Sequence, residues 1–187
     1  MTSRLAVSLA LLVLAWTGTP AHGARDVDRD AKRDMVRETD QGLRDAPEMR
    51  SGDITRFTTS HGTRQVTLTT RFAERPNVYY YLGWTIVTPD HTYEVSRYKF
   101  GPSTGWMDIT EDGADKPFDC PGLRVRARGD HAIALTIPRA CLHDPAWVRT
   151  GHSSFVDRDD AGHHDDARRD DSFNLFKRKL GAKVFVD

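Results

Sequence analysis

The densest set of potential metal ligands in the chain is the stretch DRDDAGHHDDARRDD, which holds Asp157, Asp159, Asp160, His163, His164, Asp165 and Asp166. Carboxylate oxygens in such a run suit calcium, and a histidine pair beside carboxylates suits zinc or copper. An EF-hand counted from Asp157 fails, because Ala161 takes the fifth position and Arg168 the twelfth, where oxygen ligands are required. Arg158, Arg168 and Arg169 interrupt the run and offset the negative potential a cation needs. The expectation is a solvated polar loop over 157–171, with Asp157, Asp159, His163 and His164 as weak metal candidates and no resident metal or other cofactor.

Three further patterns carry less chemistry than their letters suggest. Gly101, Pro102, Ser103, Thr104 and Gly105 spell GxSxG. A hydrolase elbow needs a helix after the serine, and the strand-like WMDIT follows instead. Arg128, Gly129 and Asp130 spell an adhesion tripeptide, but glycine and aspartate are what a hairpin tip requires of its backbone. Glu74, Glu94, Asp108 and Glu111 are available as acids without a spacing that separates them from surface carboxylates, so no catalytic residue is assigned. The aromatics Tyr79, Tyr80, Tyr81, Trp84, Tyr93, Tyr98, Trp106 and Trp147 offer another chemistry. Flat rings left facing water pack against the apolar faces of sugars.

The elements that must position these residues are strands. Cys120 and Cys141 bracket two alternating runs: Leu123, Val125 and Ala127 interleaved with arginines, then Ile133, Leu135 and Ile137 interleaved with small residues. This is a hairpin closed by a Cys120–Cys141 disulfide, worth roughly 3 kcal/mol by loop closure. Paired residues share a face, so Val125 must oppose Leu135, and the tip is the odd-numbered Gly129, Asp130 and His131. Upstream, Ile54 to Ser60 and Arg64 to Phe72 form another hairpin, with Val66, Leu68, Thr70 and Phe72 on one face. In Val78 to Val87 the continuously apolar parity is Tyr80, Leu82, Trp84 and Ile86, which must face the core. Tyr79 and Tyr81 then point outward and are the candidate ligand-binding aromatics. Thr92 to Phe100, Trp106 to Thr110, Ala146 to Thr150 and a last edge strand at Lys183 to Val186 complete an all-β chain. Short strands at regular spacing predict an antiparallel β-sandwich, jelly-roll-like, as one domain over residues 51–187.

Residues 1–23 read as a secretory signal peptide. Arg4 precedes an uncharged apolar run from Leu5 to Trp16, and small residues follow at cleavage-type spacing. That run is shorter than the ~20 residues a membrane-spanning helix needs, so no membrane association is expected after cleavage. Residues 24–50 are rich in charge and poor in large apolar side chains, as a linker or arm would be. The 27 basic and 27 acidic residues balance, which gives no nucleic-acid footprint.

At CPGLRV, PRACL and PAWVR, together with Gly52, Asp53 and Ile54 on the first sandwich strand, the chain resembles a family of small exported proteins from high-GC Gram-positive bacteria. The likeness runs from Ser51 to Thr150, and its motifs are structural. The sandwich it implies is similar to those of carbohydrate-binding modules. The expected role is therefore a secreted, extracellular, non-catalytic binding or cell-envelope-associated module whose partner is a glycan or cell-wall polymer. The alternative is a small extracellular hydrolase using carboxylates.

Overall fold

The computed structural model describes residues 25–77, 79–102, 105–168 and 178–187. The expected signal peptide and Ser103 lie outside the described residues. The strands are β1 (Arg25–Arg29), β2 (Val36–Thr39), β3 (Gly42–Asp45), β4 (Ile54–His61), β5 (Gln65–Phe72), β6 (Tyr80–Val87), β7 (Thr92–Lys99), β8 (Trp106–Glu111), β9 (Arg124–Ala127), β10 (Ala132–Pro138), β11 (Trp147–Arg158), β12 (Ala161–Asp166) and β13 (Val184–Phe185). A single 3₁₀ turn, Arg139–Leu142, joins β10 to β11.

All of the strand ladders are antiparallel, and they form two sheets. The five-stranded sheet runs β1-β4-β5-β10-β9; the eight-stranded sheet runs β3-β2-β12-β11-β6-β7-β8, with β13 paired to the start of β11. The antiparallel sandwich is as expected. Its order differs from a jelly roll, which places consecutive strands such as β4 and β5, β6 and β7, and β9 and β10 in opposite sheets. Here each of these pairs is hydrogen-bonded within one sheet. The central strands β4-β5-β10-β9 over β12-β11-β6-β7-β8 follow the strand order of a variable-type immunoglobulin sandwich. β1 is added at one edge and β2–β3 at the other.

Alternation explains the inner faces. Val66, Leu68, Thr70 and Phe72 of β5 and Ile133, Leu135 and Ile137 of β10 are buried against Leu82, Trp84 and Ile86 of β6 and Tyr93 and Val95 of β7. At the centre lies a polar ring. His152 of β11 is fully buried between Trp84 (4.7 Å between ring centroids, 15° between planes) and Phe57 of β4 (5.5 Å, 25°), with Phe72 edge-on. Its Nδ1 donates to the Gly83 carbonyl at 2.9 Å. Burial pushes its pKa down to about 3, so the imidazole is neutral and packs as an aromatic plate.

The hairpin has the expected register: Val125 opposes Leu135, Ala127 opposes Ile133, and Gly129 at the tip takes a left-handed φ of 66°. Cys120 and Cys141 are bridged across a Cα separation of 5.6 Å. Residues 25–50, the described part of the expected linker or arm over 24–50, are not a free arm. β1 pairs with β4 along its whole length, and β2 and β3 extend the other sheet through β12. β1 and β3 are sheet edges and β2 lies just inside β3, and most of their side chains are left exposed. Met35, Ala46 and Met49 bury themselves against Val156 in a satellite core beneath them.

The buried neutral histidine gives the fold a pH dependence. The unfolded imidazole takes a proton below about 6.5 and the folded one resists it to about 3. Its contribution is complete above pH 6.5 and is lost as pH falls, at roughly 1.4 kcal/mol per pH unit. Burial pushes His61 and His164 the same way, while Asp165, pushed up, opposes them. Urea unfolding between pH 7 and 5 is expected to show a shallower loss of stability in His152→Phe than in the wild type. Equal slopes would mean that His152 is not held neutral.

Candidate functional site

Because Leu82, Trp84 and Ile86 face inward, the other parity of β6 must face out, and pairing carries that parity across the eight-stranded sheet. Trp106 of β8 opposes Tyr98 of β7, Tyr98 opposes Tyr81 of β6, Tyr81 opposes Phe155 of β11, and Phe155 opposes His164 of β12. The result is a row of rings across the outer face, with centroids 5.2 Å apart for Tyr98–Trp106, 4.9 Å for Tyr81–Tyr98 and 4.9 Å for Phe155–His164.

The two ends of the row differ. At the β7–β8 end, Phe100 joins Tyr98 and Trp106 in a three-ring cluster, 6.4 and 5.4 Å from them. Phe100 and Trp106 are each 54% exposed, and Tyr79 is 49% exposed. Tyr79 precedes β6 in a left-handed conformation (φ 38°), and its hydroxyl approaches Gly101 in the β7–β8 turn. Tyr79, Phe100 and Trp106 thus gather at the end of the sandwich where the β5–β6, β7–β8 and β11–β12 connections meet. Asp108, one residue pair further along β8 on the same face, is half-buried beside the rings. Its Oδ1 has no hydrogen-bond partner, and burial raises its pKa.

The middle of the face is covered. The segment from Arg178 to Gly181 crosses it above Gly83 and Gly151, where a side chain on either glycine would collide with Arg178 or the Lys179 carbonyl. The Arg178 guanidinium donates to Ser153 Oγ (2.7 Å), Thr85 Oγ1 (2.9 Å) and the Tyr81 hydroxyl (3.0 Å), and pairs with Glu94. Gly181 N donates to the Thr150 carbonyl at 2.9 Å, which ties the strap to β11. Of the two tyrosines expected to point outward, Tyr81 is therefore half-covered and holds the strap, while Tyr79 is open. The tyrosine reading missed Phe100, which sits at the end of an alternating strand among turn residues.

The 157–171 polar loop is a hairpin as far as it is described. β11 continues to Arg158, Asp159 and Asp160 turn with φ of 55° and 58°, and β12 returns. The four weak metal candidates do not converge. Consecutive strand residues face opposite ways, so His163 turns inward and donates to its own Ala161 carbonyl, while His164 turns outward and donates to Glu38 Oε1 at 2.7 Å. Asp157 and Asp159 are exposed. Two other groups bring potential ligand atoms within 4.8 Å of one another: His91, Glu111 and His143, and Asp30, Asp34 and Asp165. In the first, at the opposite end of β6 from the aromatic cluster, His91 donates to Asp112 at 2.7 Å, which raises the His91 pKa.

No protein-family model, curated protein or solved structure matches the chain.

The strap makes a testable geometric claim. Arg178→Ala should lower stability by roughly 2 kcal/mol, the scale of hydrogen bonds to a charged group. Gly83→Ala should cost less in the Arg178→Ala background than in the wild type, because the colliding atoms are gone. Additivity of the two changes within about 0.5 kcal/mol in a denaturant double-mutant cycle would show that the guanidinium is not seated over Gly83.

Proposed function

We propose that the protein is a secreted, non-catalytic binding module that takes a glycan or cell-wall polymer on the open end of its outer face. The observation that carries this reading is the stacked Tyr98, Phe100 and Trp106 cluster, with two of its three rings more than half exposed. Large rings clustered in water at one end of a sandwich, rather than scattered singly, mark an interaction surface. Their faces suit the apolar faces of pyranoses. Asp108, on the same face one residue pair from Trp106, lies next to them as a partner for sugar hydroxyls. Glu94, the other carboxylate on this part of the face, is engaged by Arg178. The geometry thus favours recognition over a paired-carboxylate hydrolysis. The disulfide accords with an oxidising compartment outside the cytoplasm.

A pull-down of the mature chain on insoluble polysaccharides and cell-wall preparations tests the reading. Wild type should be retained on at least one. Trp106→Ala and Phe100→Ala should abolish retention, with stability changed by no more than about 1 kcal/mol because both rings are largely solvated. Retention that survives both substitutions, or no retention on any polymer, would overturn the assignment.

A further inference from the structure

The cluster of carboxylates under the first strands is unlike the surface acids elsewhere on the molecule. Asp30 and Asp34 flank the bend between β1 and β2, Asp53 immediately precedes β4, and Asp165 lies on the inward parity of β12. One carboxylate oxygen from each of Asp30, Asp34 and Asp165 lies within 4.8 Å of the others. Asp165 is 2% exposed and Asp53 fully buried. Asp165 accepts the Ile54 amide with Oδ2, and its Oδ1, equally buried, has no hydrogen-bond partner. Asp53 accepts the Arg33 amide at 3.1 Å with Oδ2, and its Oδ1 likewise has none.

A buried carboxylate without a partner costs several kcal/mol, and neighbouring carboxylates add repulsion. Asp34 and Asp53 are the charged side chains acting on Asp165, and both act to raise its pKa. The bases Arg50, Lys32 and Arg33 act on Asp53. The buried Oδ1 atoms of Asp53 and Asp165 are left for a cation to complete. Its donors are all carboxylate oxygens, without imidazole or thiolate, which selects a hard cation over zinc or copper. Several carboxylates supplied by separate segments fit the six to eight oxygens and variable denticity of calcium better than the strict octahedron of magnesium.

We propose that Asp30, Asp34 and Asp165, with Asp53 beside them, bind a calcium ion that clamps the β1–β2 bend onto the entry to β4 and onto β12. β1 belongs to one sheet and β2 to the other, so the ion sits where the chain crosses between them. The clamp is structural and separate from the aromatic face.

The mature chain, stripped with chelator, should bind calcium in a calorimetric titration. Its thermal unfolding midpoint should rise with added calcium, and less with magnesium at the same concentration. Asp34→Asn, which keeps the shape of the side chain and removes its charge, should weaken calcium binding by about tenfold or more, since affinity follows ligand charge. Asp165→Asn should abolish it, and His91→Ala should leave it unchanged. If Asp165→Asn does not fold, the wild-type and Asp34→Asn titrations decide. No heat and no shift in midpoint for wild type in millimolar calcium would overturn the proposal and leave the carboxylates sharing protons. Unaltered calcium affinity in Asp34→Asn would overturn it too, by placing the ion elsewhere.

Discussion

The packing of His152 between Trp84 and Phe57 is the contact on which the rest of the sandwich depends. Phe57 belongs to one sheet and Trp84 to the other, and the imidazole between them sets the inter-sheet spacing at the centre of the core. In immunoglobulin domains of the same strand order a tryptophan on the strand equivalent to β6 packs against a disulfide that joins the strands equivalent to β5 and β11. Here Trp84 of β6 packs against a neutral histidine of β11, His152, and not against a disulfide. This packing works only if the ring stays unprotonated and one nitrogen is satisfied, and the Gly83 carbonyl does the second.

Fixing Trp84 inward dictates the outer face. Tyr81, Gly83 and Thr85 must point the other way, and the antiparallel ladder lines them up with Tyr98, Ser96 and Glu94 on β7 and with Phe155, Ser153 and Gly151 on β11. The two glycines leave a trough one side chain deep, and Arg178 fills it. The aromatic row is therefore divided by the strap: its middle is covered and anchored by hydrogen bonds, and its β7–β8 end stays in water. Exposure of Phe100 and Trp106 is thus a property of where the strap crosses, not of a missing partner for the whole sheet.

What could be read from sequence follows the range of the forces involved. Alternation is local, so the β5 and β6 faces and the Val125–Leu135 register were legible, as were the bridged hairpin and the outward parity of Tyr81. Strand order is not local: a jelly roll and the observed order use the same strands, and which of them pair within one sheet separates the two. The charged segment before β4 was misread because edge strands such as RDVDR need no apolar alternation to form, only a neighbour with free backbone groups. The aspartate and histidine stretch was misread for a related reason. Its polar side chains are buried by partners far away in sequence, such as Glu38 for His164 and the Ile54 amide for Asp165. Asp30, Asp34, Asp53 and Asp165 share no spacing a motif could capture; β-pairing alone brings them together.

The same view of edges explains where the chain's two clamps fall. β9 is a four-residue edge strand with three exposed positions, and it buries too little apolar surface to be held by packing. The disulfide spans just this hairpin rather than the core, where Trp84, His152 and Phe57 already fix the sheets. At the opposite edges β1, β2 and β3 are equally short and charged, and no cysteine lies near them. The carboxylate cluster stands in that position. An ion there acts as the bridge does at β9: both constrain a segment whose own burial would not keep it in place, one covalently and the other through charge.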